Sequence, residues 1–309
     1  MWRWHLPSGG GSISSDDGQN EHIPVNEGDL RTERVTWSQF LRQAQAAAPA
    51  DVDSIDAEYL LAHVLGRNRA GLYARLGDAV TAAEAARFRA LWQRRCAGEP
   101  HAYLIGEREF YGRPFLVNPA VLIPRPDTEI LLEAGLARWP VGRAGIVLDA
   151  GTGSGALAIS FQLERARSSV IAVDRSPAAL AVAQANARQL AARIGYWCGD
   201  WLQAVSAGSV DLILSNPPYL DAADPHLPSL IASGEPEAAL RAPESGLGDL
   251  LTLIREAKGV LRTGGWLLLE HGWTQAPAVR EALRAQGYVE VSSERDLAGH
   301  ERVSGGRVP

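Results

Sequence analysis

The chain has little cysteine and no long apolar run. Its two cysteines, Cys96 and Cys198, lie in unrelated contexts, which argues against both a disulfide framework and a metal site. No apolar stretch is long enough to cross a bilayer, and residues 1–20 lack the apolar centre of a secretory signal. These absences favour a protein of the reducing cytoplasm, without a membrane partner.

Basic residues are also fewer than acidic residues. The formal net charge is -6, and no run of lysine or arginine interrupts the sequence. Proteins that grip duplex nucleic acid usually carry a basic excess, so direct binding of nucleic acid is not expected. The seven histidines show no ligand spacing, and we predict no metal.

The first 34 residues differ in composition from the rest. Residues 1–34 are rich in Gly, Ser, Asp, Asn and Glu without an apolar period, which predicts a disordered lead. Met1 is the single methionine, and Val35 opens the first well-patterned segment. Because valine can be encoded by an alternative start codon, we hypothesise that the biological protein begins near Val35 and that the lead is a start-site artefact.

A helical segment and a linker follow. Residues 35–100 carry apolar residues at helical spacing, with N-caps expected at Asp53 or Ser54 and at Thr81. They predict a helical N-terminal domain whose role is substrate recognition. Residues 101–124 predict a hairpin linker with its turn near Gly112 and Arg113.

Residues 125–309 alternate between apolar runs and amphipathic segments. The runs are nearly continuous, as expected for strands buried on both faces of a parallel sheet. The pattern predicts an open α/β fold with ligands at the carboxyl ends of the strands. The apolar runs are 145–150, 169–174, 210–216 and 265–272.

A glycine loop joins the first run to a helix, in "VLDAGTGSGALAIS". Glycines permit a tight turn and a close approach of the backbone to a ligand, and the helix start offers free N–H groups. The pattern fits a nucleotide or nucleoside cofactor, and it also fits a tight turn without a ligand. The loop residues are Gly151, Thr152, Gly153, Ser154 and Gly155.

Acidic residues follow or end neighbouring strands. Asp174 ends the second strand, where a carboxylate can accept both hydroxyls of a ribose. Asp149 precedes the loop and either faces a cation, such as the ammonium of a methionyl group, or serves as a turn residue. Asp200 follows the third strand, and the adjacent Trp201 either packs on an adenine face or belongs to the core.

The stretch "SNPPYL" ends the third apolar run. A carboxamide nitrogen is a poor nucleophile, so two acceptors must orient its lone pair toward an electrophilic methyl group. The side-chain oxygen of Asn216 and the carbonyl of Pro217 supply these acceptors in our interpretation. Pro217 and Pro218 remove competing donors, and Tyr219 stacks on the flat amide. An ordinary turn is the alternative. Since no titrating catalyst is assigned, we expect a shallow pH dependence.

Taken in order, seven motifs resemble the PrmC (HemK) family of bacterial protein-(glutamine) methyltransferases. They are "IPRPDTE", "DAGTGSGA", "VDRSP", "GDW", "SNPPY", "DPHL" and "LLLEHGW", and the match covers residues 35–307. The resemblance implies a Rossmann-like class I methyltransferase domain with a seven-stranded sheet whose last strand, "ERVSGGRV", is antiparallel. It implies methyl transfer from S-adenosylmethionine, with S-adenosylhomocysteine as product, to the glutamine amide nitrogen in the Gly-Gly-Gln loop of class I peptide chain release factors.

The resemblance also implies roles for individual residues. The loop at Gly151 to Gly155, Asp174 and Trp201 correspond to the cofactor loop, the ribose acid and the adenine contact, with Asp149 and Asp200 beside them. Asn216 would touch both cofactor and substrate. Pro217, Pro218 and Tyr219 would complete the glutamine pocket.

The roles of several polar residues stay open. Arg125 and Glu129, in "IPRPDTE", either border the pocket or form a surface ion pair. His226 either belongs to a loop over the substrate or has no role there. His271, alone at a strand end, is more often structural than catalytic.

Other activities remain compatible with parts of the pattern. The same chemistry on a ribosomal-protein glutamine, or on an exocyclic base nitrogen of RNA or DNA, would use the same residues 216–219, which form the corner at the end of the third apolar run. A nicotinamide-dependent oxidoreductase would use the glycine loop but leave residues 216–219 without a role, and a non-enzymatic nucleoside-binding module would not need them. We expect a monomer.

Overall fold

The N-terminal part of the chain is helical. The computed structural model describes residues 35–50 and 52–309, and the predicted lead, residues 1–34, lies outside them. The helices are α1 (Trp37–Ala46), α2 (Ser54–Val64), α3 (Arg69–Tyr73), α4 (Ala82–Cys96) and α5 (His101–Ile105). The helices begin where the sequence supplies caps: the side chains of Thr36, Asp53 and Thr81 each accept a backbone N–H of the first turn. The prediction of helices before the sheet is confirmed.

These helices enclose an apolar core of their own. Trp37, Phe40, Leu60 and Phe88 are buried at its centre. The rings of Phe40 and Phe88 meet edge to face with centroids 5.4 Å apart, an arrangement that aromatic pairs favour. The bundle is therefore stabilised largely by its own burial of apolar surface.

A helical turn and a hairpin follow the bundle. The sequence indicates helices only to about residue 98, and it misses α5 because five residues are too few to give a periodic signal. Strands β1 (Glu107–Phe110) and β2 (Arg113–Leu116) pair antiparallel. The turn lies at Tyr111 and Gly112, with φ of 50° and 69°, one residue earlier than expected.

The rest of the described chain alternates strands and helices. Its strands are β3 (Gly145–Ala150), β4 (Ser168–Asp174), β5 (Ile194–Cys198), β6 (Val210–Ser215), β7 (Leu261–Glu270), β8 (Val289–Arg295) and β9 (Glu301–Arg307). Its helices are α6 (Thr128–Arg138), α7 (Ala156–Glu164), α8 (Pro177–Gln189), α9 (Leu227–Ala232), α10 (Gly248–Val260) and α11 (Ala276–Ala285).

Within the described residues the main sheet has seven strands, in the order β5-β4-β3-β6-β7-β9-β8. Strands β3 to β7 pair parallel, whereas β9 is antiparallel to β7 and β8. The expected seven-stranded sheet with an antiparallel last strand is confirmed. Apolar cores lie on both faces: Val147 joins one and its neighbour Leu148 the other.

The strand order places one crevice at the centre of the sheet. The first strand of the sheet, β3, lies between β4 and β6, so the chain winds in opposite directions from this point. The Ser215 hydroxyl at the end of β6 donates to the Ala150 carbonyl at the end of β3, at 2.6 Å. In open α/β sheets, ligands bind where such neighbouring strands end.

Candidate active site

The glycine loop after β3 folds back against the end of β4. Gly151, Gly153 and Gly155 have φ of 77°, 53° and 80°, in the left-handed region that side chains disfavour. The amides of Gly151 and Thr152 both donate to the Val173 carbonyl, at 2.8 and 2.9 Å. The loop is therefore fixed by the backbone of the neighbouring strand.

Asp149 supports this loop from beneath. It is buried, and its Oδ2 accepts the Thr152 hydroxyl at 2.7 Å and the Ala158 amide, in the first turn of α7, at 3.1 Å. Burial raises its pKa to about 7, although these two hydrogen bonds act in the opposite direction. The carboxyl thus joins the loop to the helix start and also lines the adjoining cavity.

Asp174 brackets the loop from the end of β4. Its Oδ2 accepts the Gly153 amide at 2.9 Å, and its Oδ1 accepts the Ser176 amide at 2.8 Å. Ser176 itself caps α8, as its spacing indicates. Each carboxylate oxygen retains acceptor capacity, so Asp174 can still bind hydroxyl groups.

Trp201 lies against the start of the loop and lines the same cavity as Asp174. A Cβ at Gly151 would come within 3.1 Å of the Trp201 ring, so a side chain there would crowd the tryptophan. Burial raises the pKa of Asp249, at the start of α10, and the hydrogen bond from Trp201 opposes that shift. Asp200 accepts Gln203 Nε2 at 3.1 Å at the rim.

One cavity gathers most of the predicted cofactor residues. Its lining includes the apolar side chains of Phe110, Val121, Leu122 and Pro124 together with the glycine loop. Gly155 does not line it; a Cβ there would come within 3.0 Å of Ala183, so this glycine lets α7 and α8 approach closely. The predicted residues that line the cavity are Asp149, Gly151, Thr152, Gly153, Ser154, Asp174, Asp200, Trp201, Asn216 and Pro218.

Asn216 and Pro218, from the corner after β6, both line this cavity. Asn216 Nδ2 donates to the Thr128 hydroxyl at 3.0 Å. That bond leaves the carboxamide oxygen as the free acceptor of this side chain. Pro217 is buried, and within residues 35–50 and 52–309 no donor reaches its carbonyl oxygen.

Tyr219 points away from the cavity. Its hydroxyl donates to Glu270 Oε1, at the end of β7, at 3.3 Å, and burial raises its pKa. Its carbonyl accepts Gln275 Nε2 at 3.1 Å. Neither Tyr219 nor Pro217 lines the cavity, whereas Asn216 and Pro218 do.

The remaining polar residues separate into different roles. Arg125 lines the cavity and pairs with the buried Glu235 at 2.5 Å. It does not pair with Glu129, which accepts the Tyr111 amide at 2.8 Å. His271 is fully buried; burial lowers its pKa, and Nε2 contacts Ser304 Oγ at 2.7 Å.

His226 lies before the start of α9. Its amide donates to Asp224 Oδ1 at 2.8 Å, and its side chain is exposed. His226 does not line the cavity that holds the glycine loop.

Sequence reasoning misses three residues of the site. It contains Thr128 and Glu270 only as letters of the motifs "IPRPDTE" and "LLLEHGW", and it does not mark Gln275 at all. Glu270 does carry a signal, because a charge at the end of an otherwise apolar strand is unusual. The contacts of these three residues with Asn216 and Tyr219 link positions that are far apart in sequence.

Two further features are absent from the described ranges, 35–50 and 52–309. No group of three His, Cys, Asp or Glu side chains there could hold a metal ion. No helix there has the length and apolarity to span a membrane.

Two protein-family models match this chain. A model described as PrmC N-terminal domain matches residues 35–106, and one described as Methyltransferase small domain matches residues 126–231. The fold, the cavity and these matches define an S-adenosylmethionine-dependent methyltransferase of class I fold.

Full-length relatives narrow this class. The Bordetella pertussis release factor glutamine methyltransferase is 50% identical over 82% of this chain and 94% of its own length. The Escherichia coli protein of the same name is 46% identical over 88% of this chain and 99% of its own length. The chain belongs to the release factor glutamine methyltransferase family.

Proposed function

We propose that this chain transfers a methyl group from S-adenosylmethionine to the side-chain amide nitrogen of the glutamine in the Gly-Gly-Gln motif of class I release factors. The observation that carries the proposal is the orientation of Asn216. Its nitrogen is committed to Thr128, so its oxygen is free to accept at the edge of the cavity. A corner that offers acceptors and no strong base suits a neutral carboxamide.

The side-chain oxygen of Asn216 and the carbonyl of Pro217 form an acceptor clamp. This clamp acts by orienting the substrate amide. S-adenosylmethionine, when bound, supplies an electrophilic methyl group. Asn216 Oδ1 and the Pro217 carbonyl each accept one N–H of the substrate amide, which points the nitrogen lone pair at that group. As the N–C bond forms and the S–C bond breaks, positive charge that develops on the nitrogen is stabilised by the same oxygens, and the surplus N–H proton is then released to solvent. Tyr219, whose hydroxyl is bound to Glu270 and which does not line the cavity, holds the backbone of the corner in place of the stacking on the amide that the sequence suggested.

The cofactor is bound by the cavity residues in this proposal. Asp174 accepts ribose hydroxyls, Trp201 contacts adenine, and the glycine loop approaches the amino acid portion, with Asp149 beneath it. The fit is supported by an acidic acceptor with spare lone pairs at the loop and by apolar side chains in the lining of the same cavity. S-adenosylhomocysteine leaves the same cavity as product.

Asp174→Ala is expected to weaken cofactor binding about tenfold to a hundredfold, because hydrogen bonds to a charged acceptor contribute about 1.5–3 kcal/mol. Titration calorimetry with S-adenosylhomocysteine measures the loss. Turnover at saturating cofactor should change little. Asp174→Asn, which keeps one acceptor oxygen, should lie between the two proteins; equal affinity in all three would contradict the assignment.

Incubation with labelled S-adenosylmethionine and purified class I release factors tests the function. Label should enter the wild-type factor and not a factor whose loop glutamine is replaced by alanine. Ribosomal proteins and RNA, in parallel reactions, test the alternative acceptors. Label in either of these, without label in the factors, would overturn the proposal.

The remaining partners follow from the same reaction. A release factor substrate places the enzyme in the cytoplasm, and the negative net charge argues against direct binding of nucleic acid. A single chain carries every residue of the clamp and cavity, which favours a monomer.

A further inference from the structure

A short segment after α9 forms one wall of the proposed cofactor cavity. We call this segment, residues 235–239, the strap; it contains one turn of 3-10 helix. The Glu237 side chain is exposed and pairs with Arg241 at 3.1 Å, outside the cavity. One turn of chain therefore separates the cavity from solvent at this point. The strap residues that line the cavity are Pro236, Ala238 and Ala239.

Glu235 binds the strap to the chain that precedes α6. Its side chain is only 3% exposed, and its Oε1 accepts Arg125 Nη2 at 2.5 Å. Its Oε2 accepts the Ile123 amide at 3.3 Å. Removing one partner of a buried ion pair is strongly destabilising for the contact, because it leaves a buried charge uncompensated. Since Arg125 lines the cavity, these bonds hold the strap at the cavity edge.

The other side of this contact is anchored in a buried cluster. Val121 and Ile123 are buried, and they pack in one apolar cluster with Tyr103 of α5. The Tyr103 hydroxyl donates to the Val121 carbonyl at 2.7 Å. Because this chain is fixed in the core, the strap can move away from it only by breaking the bonds of Glu235.

The far end of the strap is held more weakly. The exposed side chain of Arg175, after β4, donates to the Ala238 carbonyl at 3.4 Å, near the long limit of hydrogen bonds. The pair between Glu237 and Arg241 joins two exposed side chains of the same segment, and such pairs contribute little. Glu235 therefore supplies the strongest polar contact between the strap and the rest of the protein.

The helix before the strap has open space beside it. A groove lies between α9 and the helical bundle, with Ser229 and Ser233 on one side and His101 on the other. The side of α9 that faces the bundle thus borders a groove. This groove gives α9 and the strap room to move once the Glu235 bonds break.

The base of the same segment is closed by backbone hydrogen bonds. The Leu220 amide donates to the Leu240 carbonyl, and the Ala242 amide donates to the Leu220 carbonyl, both at 3.0 Å. Leu240 and Ala242 are also buried. Movement of residues 221–239 about this base leaves the Asn216 corner in place.

We propose that the ion pair of Arg125 and Glu235 is a latch that holds the strap over the cofactor cavity and controls the exchange of S-adenosylmethionine and S-adenosylhomocysteine. Glu235 is then a positioning residue, because it does not line the cavity and acts through the strap. The inference rests on the proposed placement of the cofactor in this cavity, and it adds the device that admits the cofactor and releases the product.

A latch and a static wall predict different binding kinetics. The latch is formed in the structure without a ligand, so it opposes entry as well as exit of the cofactor. Weakening it raises the open fraction of the free and the bound enzyme by the same factor. Association and dissociation then accelerate together, and the affinity changes little. A wall that only contacts the cofactor would instead lose affinity through faster dissociation alone.

Surface plasmon resonance on the immobilised full-length enzyme, with S-adenosylhomocysteine as the probe, measures both rate constants. Glu235→Gln keeps the side-chain volume and an acceptor for the Ile123 amide but loses the charge that pairs with Arg125. Both rate constants should rise about 10- to 100-fold, the effect of one hydrogen bond to a charged group. The Kd should stay within about threefold of wild type, because both rates change together.

Glu237→Gln is the matched control, since Glu237 lies two residues further along the strap in an exposed ion pair. Its rate constants should stay within about twofold of wild type. Should Glu235→Gln fail to fold, Arg125→Gln breaks the same ion pair from its more exposed side and should accelerate both rates in the same way.

The kinetic pattern decides between the outcomes. Unchanged rates in Glu235→Gln, or faster dissociation alone with a proportional loss of affinity, would overturn the latch. The measurement contains no release factor, so it is independent of the methyl acceptor. If wild type methylates no release factor while the two rates still rise together in Glu235→Gln, the proposed function fails and the latch stands.

Discussion

Asn216→Ala is expected to reduce methyl transfer to release factors by at least about 10²–10³-fold, the loss seen when one preorganised transition-state contact is removed. The alanine keeps the backbone corner but removes the oxygen that orients the substrate nitrogen. The effect should fall on kcat, because the contact strengthens as charge develops on that nitrogen. Single-turnover assays with saturating cofactor and release factor measure it directly.

Cofactor affinity supplies the control for this variant. Asn216 lines the cavity, so S-adenosylhomocysteine should bind somewhat more weakly, by far less than the loss in turnover. The thermal unfolding midpoint should change little, because Asn216 is only partly buried and its replacement frees Thr128 to bind water. Normal turnover by Asn216→Ala would end the clamp interpretation.

Much of the fold could be predicted because most of the parallel strands appear in the sequence as nearly continuous apolar runs. Strands β3, β4, β6 and β7 coincide with those runs to within a few residues, since strands buried on both faces leave no place for polar side chains. The helix N-caps Asp53 and Thr81 could be predicted too, because each cap bonds only to a residue two or three positions further along the chain. In contrast, β5, with exposed Trp197 and Cys198 at the sheet edge, lacks the continuous apolar run by which the other strands were identified.

The residues that line the cavity could also be predicted from their places at the ends of the strands. Glycines and acids that follow parallel strands converge at one edge, so Gly151, Asp174 and Asn216 meet in one cavity. The supporting contacts were not predictable. Asn216 reaches Thr128 from 88 residues away, and Tyr219 reaches Glu270 from 51 residues away. No local pattern encodes such pairs.

A buried carboxyl supports each of the two loops. Asp149 lies under the glycine loop and Glu270 under the Asn216 corner, each with a pKa raised to about 7 by burial. Because the folded pKa values exceed the unfolded ones, both groups favour the native state at acidic pH, and this contribution is lost as pH rises through 7. Above pH 7, these acids therefore support the loops at some loss of stability.

The backbone beyond the corner is held by a second support. Gly246, before α10, has φ of 83° and lies against the Tyr219 carbonyl. Gln275 Nε2 donates to both Tyr219 O and Gly246 O, at 3.1 and 3.2 Å. The chain after Leu220 thus leaves the corner and returns to it, and Gly246 packs directly against the Tyr219 carbonyl.

Gly246→Ala is expected to cost at least about a hundredfold in kcat, the loss associated with a displacement of about 1 Å at a reacting group. A Cβ at Gly246 would overlap the Tyr219 carbonyl oxygen and approach Gln275 Nε2 to 2.8 Å, so the corner itself must move. Gly264→Ala is the matched control, because Gly264 has φ of 81° but no atom within 4 Å of the place that a Cβ would occupy. Both variants bear the left-handed strain of about 1–2 kcal/mol and should unfold at lower temperature than wild type. Only Gly246→Ala should lose turnover at a temperature where both are folded, and equal turnover in the two variants would show that the position of the Tyr219 backbone does not matter for the reaction.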